Sequence, residues 1–223
     1  MSVLVATPVS DENEYCLDIF TRQLCSFDYV DYDTYLIDYS KDPLFIEYLY
    51  NLGLNAERIE PEGNIAEYLC ECYNAIRDKV LYDGYEWLFL LDSNVFVPLN
   101  IITYLVKQRN LVHTFAYYIN DESAKCLRFE GENSEELIGD YYKPISECRI
   151  GMDFDVYSVG LGCTFIHRNV LEQINFRTDG KAGCDYFFYQ DIKGSNTKPV
   201  IDTNIIPAHY RSESFVTDLK IIQ

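Results

Sequence analysis

The chain has 223 residues, of which 48% are hydrophobic and 15% aromatic, a composition typical of a folded globular protein. Its length suits one large hydrophobic core, so we predict a single domain over residues 1–223. Asp and Glu number 36 against 18 Lys and Arg, which gives a net charge of −18. This charge repels phosphate backbones and anionic lipid surfaces, and it therefore disfavours nucleic-acid binding.

The opening segment and the cysteines bear on where the protein works. The opening MSVLVATPVSDENEYC has neither the basic segment nor the long apolar run of a secretory signal. No segment reaches the ~20 apolar residues of a membrane span, so we expect a cytoplasmic protein. The eight cysteines form no pair of Cys-x-x-Cys motifs, which disfavours a zinc site. We expect buried free thiols, with disulfides as the alternative if the source is a hyperthermophile.

Strands and helices alternate through the first half of the chain. Apolar runs predict strands at residues 2–9, 32–38, 56–60 and 86–94. Helical periodicity predicts helices at 11–25, capped by Ser10 or Asp11, at 42–50, with Pro43 in the first turn, and at 64–80. This alternation predicts an α/β fold with a mostly parallel central sheet and helices on both faces.

The second half of the chain is less regular. A strand is predicted at 111–119, and the polar stretch 120–155 is either a substrate-recognising segment or a tolerated insertion. Gly160 and Gly162 precede a short strand and lack the third glycine of a dinucleotide-binding loop, which disfavours that function. The last predicted strand is followed by a loop that holds His209.

Polar or turn-forming residues occur where several predicted strands end, at Thr7, Pro8, Asp38, Asp92 and Asn94. The carboxyl ends of parallel strands share one edge of a sheet, and ligands bind at that edge. These residues are therefore expected to converge on one site.

Asp92, Asn94 and His209 form a plausible partial shell for Mn²⁺ or Mg²⁺, which bind few protein ligands beside substrate phosphates. An amide at position 94 keeps an oxygen ligand but removes one charge, so metal and phosphate ligand are expected to bind together. The alternative for Asp-Ser-Asn is a turn stabilised by its own side chains. For His209 it is a surface or hydrogen-bonded histidine.

In their order, these segments resemble the GT-A class of nucleotide-sugar glycosyltransferases over roughly residues 3–209. VLVATPV is similar to the first strand of that class, YLIDYSKD to its acidic turn, FLLDSNVFVP to its Asp-x-Asp motif and GCDYFFYQDI to its acidic acceptor-side element. The resemblance implies a GT-A-like fold, with a nucleotide-binding half at about 1–97 and an acceptor-side half at about 98–223.

The resemblance also implies roles at the donor. Asp38 and the Thr7–Pro8 backbone would contact the nucleotide. Asp92 would also contact the nucleotide, and it would hold Mn²⁺ or Mg²⁺ on the donor diphosphate together with Asn94 and His209.

One helix of the class carries further matching positions. GNIAEYLCECYNAI is similar to it, with Asn64 and Asn74 matching and Tyr73 in place of an arginine. Asn64 is therefore assigned to nucleotide binding.

Asp185 matches the catalytic base of inverting members, whereas Cys184 replaces a glutamate of that element. Asp191, about one and a half helical turns further on, is the rival base. The alternative for Asp185 is a helix N-cap. Tyr141, Tyr142 and Tyr157 are candidates for stacking on a sugar, with core filling as the alternative.

The expected function is transfer of a sugar from a metal-bound nucleotide-diphosphate sugar to a glycan, protein or lipid acceptor, with inversion implied by Asp185. The small size and high tyrosine content also resemble compact glycosyltransferases of archaeal viruses, which would act in the host cytoplasm. One alternative is a sugar-1-phosphate nucleotidyltransferase, but TPVSDENEY has neither the glycine nor the lysine of its phosphate loop. A non-catalytic protein that retains the fold is the other.

Overall fold

The computed structural model describes residues 1–60, 63–115, 117, 127–129, 156–195, 197–202, 204–212, 215–216 and 220–221. For 127–129, 156–159, 211–212, 215–216 and 220–221 the description covers the backbone alone. The helices are α1 (Glu14–Leu24), α2 (Phe45–Asn51), α3 (Ile65–Asp83), α4 (Ile101–Leu105), α5 (Arg168–Leu171) and α6 (Cys184–Gly194). The strands are β1 (Val3–Val9), β2 (Tyr32–Asp38), β3 (Ala56–Arg58), β4 (Trp87–Leu91), β5 (Val95–Phe96), β6 (Val112–Phe115), β7 (Leu127–Phe129), β8 (Val156–Val159), β9 (Cys163–His167), β10 (Val200–Asp202), β11 (Ile205–Ile206), β12 (Ala208–Ser212), β13 (Phe215–Val216) and β14 (Lys220–Ile221).

Within the described chain, seven strands form the central sheet in the order β10-β6-β9-β4-β1-β2-β3. β1 pairs in parallel with β2 and β4, β2 with β3, and β6 with β10. β9 lies antiparallel between β4 and β6, and it is the only strand of this sheet that runs in the opposite direction. The predicted α/β class with a mostly parallel sheet is confirmed.

Helices cover both faces of the sheet, as predicted, because the central strands are apolar on both sides. All seven residues of β1 and all five of β4 are buried. Along β1, Val3 and Val5 pack in a cluster with α1, α2 and α4, whereas Leu4 and Ala6 pack in a cluster with α3, α5 and α6. The alternation follows from the two-residue period of a strand.

Two predicted helix starts are wrong by a few residues. The backbone N–H of Asn13 donates to the Ser10 carbonyl at 3.1 Å, which closes a 3₁₀ turn, so α1 begins at Glu14. Pro43 precedes α2, which has Leu44 at its N-cap and begins at Phe45.

His209 lies in β12 and not in a loop as predicted. β12 pairs antiparallel with β5, with His209 opposite Val95. Sequence patterns miss this strand because its partner is more than a hundred residues earlier in the chain.

The six cysteines that the structure describes are all free thiols, at positions 16, 25, 70, 72, 163 and 184. Five of them are buried, in agreement with a core-filling role. Among the described helices, none has the length and hydropathy that a bilayer crossing requires.

A buried polar network holds the end of β10 against β6. Asp202 is 1% exposed, and its Oδ2 lies 3.0 Å from Nε2 of His113 and accepts a hydrogen bond from the Tyr104 hydroxyl. Its Oδ1 accepts from the Asn204 N–H at 2.8 Å. Burial raises the pKa of Asp202, but these hydrogen bonds outweigh it and the net pKa lies below the ordinary value.

We predict that Asp202→Asn lowers the free energy of unfolding by about 3 kcal/mol at pH 7, because the buried His113 and Tyr104 lose a charged acceptor. A depressed carboxyl pKa stabilises the folded state above the unfolded value of about 3.9, and this stability is lost as the pH falls through the folded pKa. Urea unfolding at pH 7, 5 and 3 should therefore show the difference from wild type shrinking at the lowest pH. Asp31→Asn, at an exposed carboxylate, is the control, and a difference independent of pH would contradict the prediction.

Candidate active site

The carboxyl ends of β1 and β4 border a pocket of about 260 Å³. The pocket is lined by residues from at least six separate segments of the chain: Pro8, Asn13, Tyr39, Leu69, Tyr73, Asp92, Ser93, Asn94, Tyr117 and His209. The structure thus brings together four residues that the sequence singled out, Pro8, Asp92, Asn94 and His209. Its position beyond the strand ends is where an open parallel sheet binds ligands.

Asp92 follows β4 directly and lies partly buried at the pocket wall. Its carbonyl accepts from the Val95 N–H at 3.0 Å, so Asp92 to Val95 form a turn. Within the described chain, the one hydrogen bond that its carboxylate receives comes from the Tyr117 hydroxyl, at 3.5 Å. The turn is therefore closed by the backbone, and the carboxylate remains available to a ligand.

Electrostatics around Asp92 are unfavourable to a bare negative charge. Burial raises the pKa of Asp92 to about 6. The Tyr117 hydrogen bond lowers this pKa, and the nearby charge of Asp185 raises it further. A cation beside Asp92 would remove the cost of both burial and repulsion.

Asn94 and His209 are held next to each other by the pairing of β5 with β12. The Tyr210 N–H donates to the Asn94 carbonyl at 2.8 Å, and the ring of His209 packs on Tyr117 with centroids 5.2 Å apart. His209 is 6% exposed, so the alternative of a surface histidine is wrong. The same contacts bring its imidazole to the pocket that Asp92 lines.

Thr7 and Pro8, predicted together at the nucleotide, occupy different environments in the structure. Pro8 lines the pocket, whereas Thr7 is fully buried and its hydroxyl donates to the Leu91 carbonyl at 2.7 Å. Thr7 therefore joins the end of β1 to the end of β4.

Asp38 is fully buried at the end of β2, with both oxygens engaged. Oδ2 accepts from Nη1 of Arg58 at 2.8 Å, and Oδ1 accepts from the Ser40 N–H at 2.8 Å. The next residue, Tyr39, is the one that lines the pocket. Contact of Asp38 with a nucleotide stays a prediction.

Asn64 and Asn74 both have structural partners. Asn64 caps α3, accepting from the N–H groups of Ala66 and Glu67, in a capping box with the Glu67 side chain. Asn74 donates to the carbonyl of Phe176 at 2.8 Å and accepts from its N–H at 2.9 Å. The assignment of Asn64 to the nucleotide stays a prediction.

Asp185 lies in the first turn of α6, near enough to Asp92 to affect its pKa. Gly183 is the N-cap of that helix, so the alternative of an Asp185 N-cap is wrong. Asp191 instead forms two hydrogen bonds with Arg177, at 3.0 and 2.8 Å. Asp185 thus acts on the electrostatics of Asp92, whereas Asp191 is paired with Arg177.

Several lining residues were not predicted from the sequence. Tyr117 lies just beyond β6, in a run of apolar residues where nothing distinguishes it from a core tyrosine. Tyr39 and Leu69 likewise carry no motif. Of the proposed sugar-stacking residues, Tyr141 and Tyr142 lie outside the described residues, and Tyr157 is described by its backbone alone. Most of the predicted substrate-recognising stretch 120–155 also lies outside them.

Neither a protein-family model nor a curated protein sequence matches the chain. Solved structures do. The crystal structure of S. aureus TarS 1-349 superposes with a TM-score of 0.62 at 13% identity, over 93% of this chain and 59% of that chain. The mannosyltransferase PcManGT from Pyrobaculum calidifontis, in complex with GDP-Man and Mn²⁺, gives 0.56 at 12% identity, over 91% and 56%. Both are GT-A-type nucleotide-diphospho-sugar transferases.

The chain has a GT-A-like fold. It spans less than two thirds of the length of these two structures. A 4-diphosphocytidyl-2C-methyl-D-erythritol synthase also superposes, with a TM-score of 0.52 at 10% identity, over 90% of this chain and 89% of that chain. At such identities the likeness shows the fold alone.

The pocket offers a divalent cation a partial set of ligands. No three His, Cys, Asp or Glu side chains of the described residues form a metal shell on their own. Asp92, His209 and the Asn94 amide oxygen line one pocket, and this donor set suits Mn²⁺ or Mg²⁺ if phosphates complete the shell. The residues present thus fit a metal that binds together with its substrate.

We predict that Asp92→Asn raises the free energy of unfolding of the metal-free protein by roughly 1–2 kcal/mol at pH 7. The folded pKa of about 6 lies above the unfolded value, so the ionised carboxylate costs stability at pH 7. The gain should disappear as the pH falls from about 6 towards about 4. Thermal unfolding with excess chelator over this range measures it.

Asn94→Asp is the control in the opposite direction. A second carboxylate in the same pocket should lower the melting temperature without metal and strengthen Mn²⁺ binding. A lower melting temperature for Asp92→Asn at pH 7 would contradict the prediction.

Proposed function

We propose that the protein is a glycosyltransferase that transfers a sugar from a metal-bound nucleotide-diphosphate sugar to a glycan, protein or lipid acceptor, with inversion of configuration. The observation that supports this proposal best is the pocket itself. Asp92, Asn94 and His209 line it together, at the edge of a GT-A-like sheet. In this proposal residues of about 1–97 bind the donor, and residues of about 98–223 serve the acceptor side.

The charge of the pocket supports dependence on a divalent cation. None of the ten described lining residues is Lys or Arg, whereas the chain as a whole has a net charge of −18. A diphosphate could enter such a pocket only with a positive charge between it and Asp92. Mn²⁺ or Mg²⁺ would supply that charge and would stabilise the departing diphosphate. The TarS complex with UDP-GlcNAc and the mannosyltransferase complex with GDP-Man and Mn²⁺ support this class of ligand.

The nucleotide would lie against the first half of the chain. Pro8, Tyr39 and Leu69 give the pocket an apolar and aromatic wall that suits a base or ribose. Asp38 is proposed to contact the nucleotide there together with Arg58, because the ion pair between them lies at the ends of β2 and β3, beside Tyr39. The backbone of Thr7 and Pro8 and the side chain of Asn64 complete the proposed nucleotide contacts.

Asp185 is proposed as the catalytic base that accepts the proton of the acceptor hydroxyl. Its carboxylate lies in the first turn of α6 and accepts a hydrogen bond from the Tyr186 N–H at 2.8 Å. Asp191, whose carboxylate is paired with Arg177, is the other candidate.

A sugar-phosphate nucleotidyltransferase is the second candidate, because the superposition with the synthase covers 90% of this chain and 89% of that chain. The segment after β1 argues against it. Asp11–Asn13 form an acidic 3₁₀ turn at the place where a triphosphate would need glycine and basic groups. A glycosyltransferase releases a nucleoside diphosphate, whereas a nucleotidyltransferase releases inorganic diphosphate. The released product therefore distinguishes the two activities.

We predict that uridine or guanosine diphosphate sugars raise the melting temperature only when Mn²⁺ or Mg²⁺ is present. Ligands that bind the native state stabilise it by mass action, by about 2.7 kcal/mol at a hundredfold excess over Kd. A thermal-shift panel of donors, each with metal and with excess chelator, tests this. Equal stabilisation in chelator would rule out the metal bridge, and no stabilisation by any donor would leave the fold without the proposed function.

We predict that Asp185→Asn lowers turnover ~10²–10⁴-fold and leaves donor affinity nearly unchanged, because a base acts in the transition state. Asp191→Asn is the matched control on the same helix. It loses only a largely exposed ion pair, so turnover should stay close to wild type. The measurement is nucleoside-diphosphate release from the donor that stabilises the protein best. The reverse pattern in the two variants would transfer the role to Asp191.

A further inference from the structure

The glycine turn between β8 and β9 lies directly against Asp92. The Asp92 N–H donates to the Gly162 carbonyl at 2.8 Å, at the end of the antiparallel pairing in which Leu91 lies opposite Cys163. The sequence disfavours dinucleotide binding at this turn. The turn instead contacts Asp92, whose carboxylate lines the pocket.

Gly162 has no room for a side chain. A Cβ atom built on it would overlap Oδ2 and Cγ of Asp92 and would lie 2.5 Å from the Tyr117 hydroxyl oxygen. Gly162 is not among the described glycines with positive φ, so its backbone conformation does not require glycine. The requirement is for space, and the Asp92 carboxylate occupies that space.

Gly160, two residues earlier, provides a natural comparison. Among the residues that the structure describes, a Cβ on Gly160 would approach only the Tyr117 hydroxyl, at 3.6 Å, which is an ordinary van der Waals contact. Alanine is therefore expected to fit at position 160 and not at position 162.

The surroundings leave Asp92 little choice of position. Its N–H is bound to Gly162 and its carbonyl to the Val95 N–H, so its backbone is fixed at both polar groups. A side chain at position 162 could be accommodated only if the Asp92 carboxylate turned away from its place beside Tyr117 and the Tyr117 hydroxyl also shifted.

We propose that Gly162 is a positioning residue, whose missing side chain seats the Asp92 carboxylate at the pocket and so sets the geometry of cation binding. The positioning of the Asp92 carboxylate by Gly162 follows from the geometry alone, whereas its effect on cation and donor binding rests on the proposed function. Metal sites lose affinity when the groups behind a ligand are changed, typically by about 10–100-fold.

The first arm of the test measures stability in excess chelator. Gly162→Ala should lower the melting temperature by roughly 3–10 °C, and Gly160→Ala should change it little. In a background that carries both Asp92→Ala and Tyr117→Phe, most of the loss caused by Gly162→Ala should disappear, because the carboxylate and the hydroxyl that the new methyl group would overlap are both gone. An equal loss of melting temperature in both backgrounds would contradict the proposal that Gly162 positions the Asp92 carboxylate.

The second arm measures Mn²⁺-dependent binding of the stabilising donor by calorimetry, with folding checked by circular dichroism. Gly162→Ala should weaken binding about 10–100-fold, whereas Gly160→Ala stays near wild type. Adding Gly162→Ala to Asp92→Ala should cost no further affinity. Unchanged donor binding in Gly162→Ala would overturn the positioning role.

The two arms fail separately. If no donor binds to the wild-type protein, the proposed function fails, while the stability cycle still decides whether Gly162 seats Asp92.

Discussion

The site depends on the position of β4 between β1 and β9. β4 is buried throughout and pairs in parallel with β1 on one side and antiparallel with β9 on the other. The parallel partner β1 ends at Val9, just past Pro8, and the antiparallel partner β9 begins at Cys163, just after Gly162. Asp92 therefore lies between these two strands, at the edge of the sheet where it lines the pocket.

Charge is the second constraint on this site. A carboxylate that is partly buried and close to Asp185 destabilises the folded protein unless a cation accompanies it. The carboxylate that carries this cost directly follows a strand that is buried throughout. Sites built for binding commonly sacrifice some stability in this way. Under the proposed function, the same constraint would let a very acidic protein bind an anionic donor, because the anion would enter together with its metal.

Elements distant in the chain complete the pocket. β12 pairs with β5 and thereby carries His209 to the turn that holds Asn94. Tyr117, beyond β6, lies between Asp92 and His209 and contacts both. The buried Asp202 network fixes the end of β10, from which the chain continues to β12. The strand that the Asp202 network stabilises and the strand that holds His209 are therefore close neighbours in the chain.

Much of the framework can be predicted from the sequence, because it depends on local patterns. The apolar runs of β1, β2 and β4 and the periodicity of α3 all act within a few residues, and each of these elements lies close to where it was predicted. The strand-end position of Asp92 follows from the same patterns, since a polar cluster directly after a buried strand marks the sheet edge.

Long-range pairing decided the rest. The strand that holds His209, the engagement of Asp38 by Arg58 and the contact of Tyr117 with Asp92 each join residues at least twenty positions apart, and no local pattern encodes them. The need for glycine at position 162 is of the same kind. Its backbone conformation is ordinary, and only the carboxylate brought against it by the β4–β9 pairing leaves no space for a side chain.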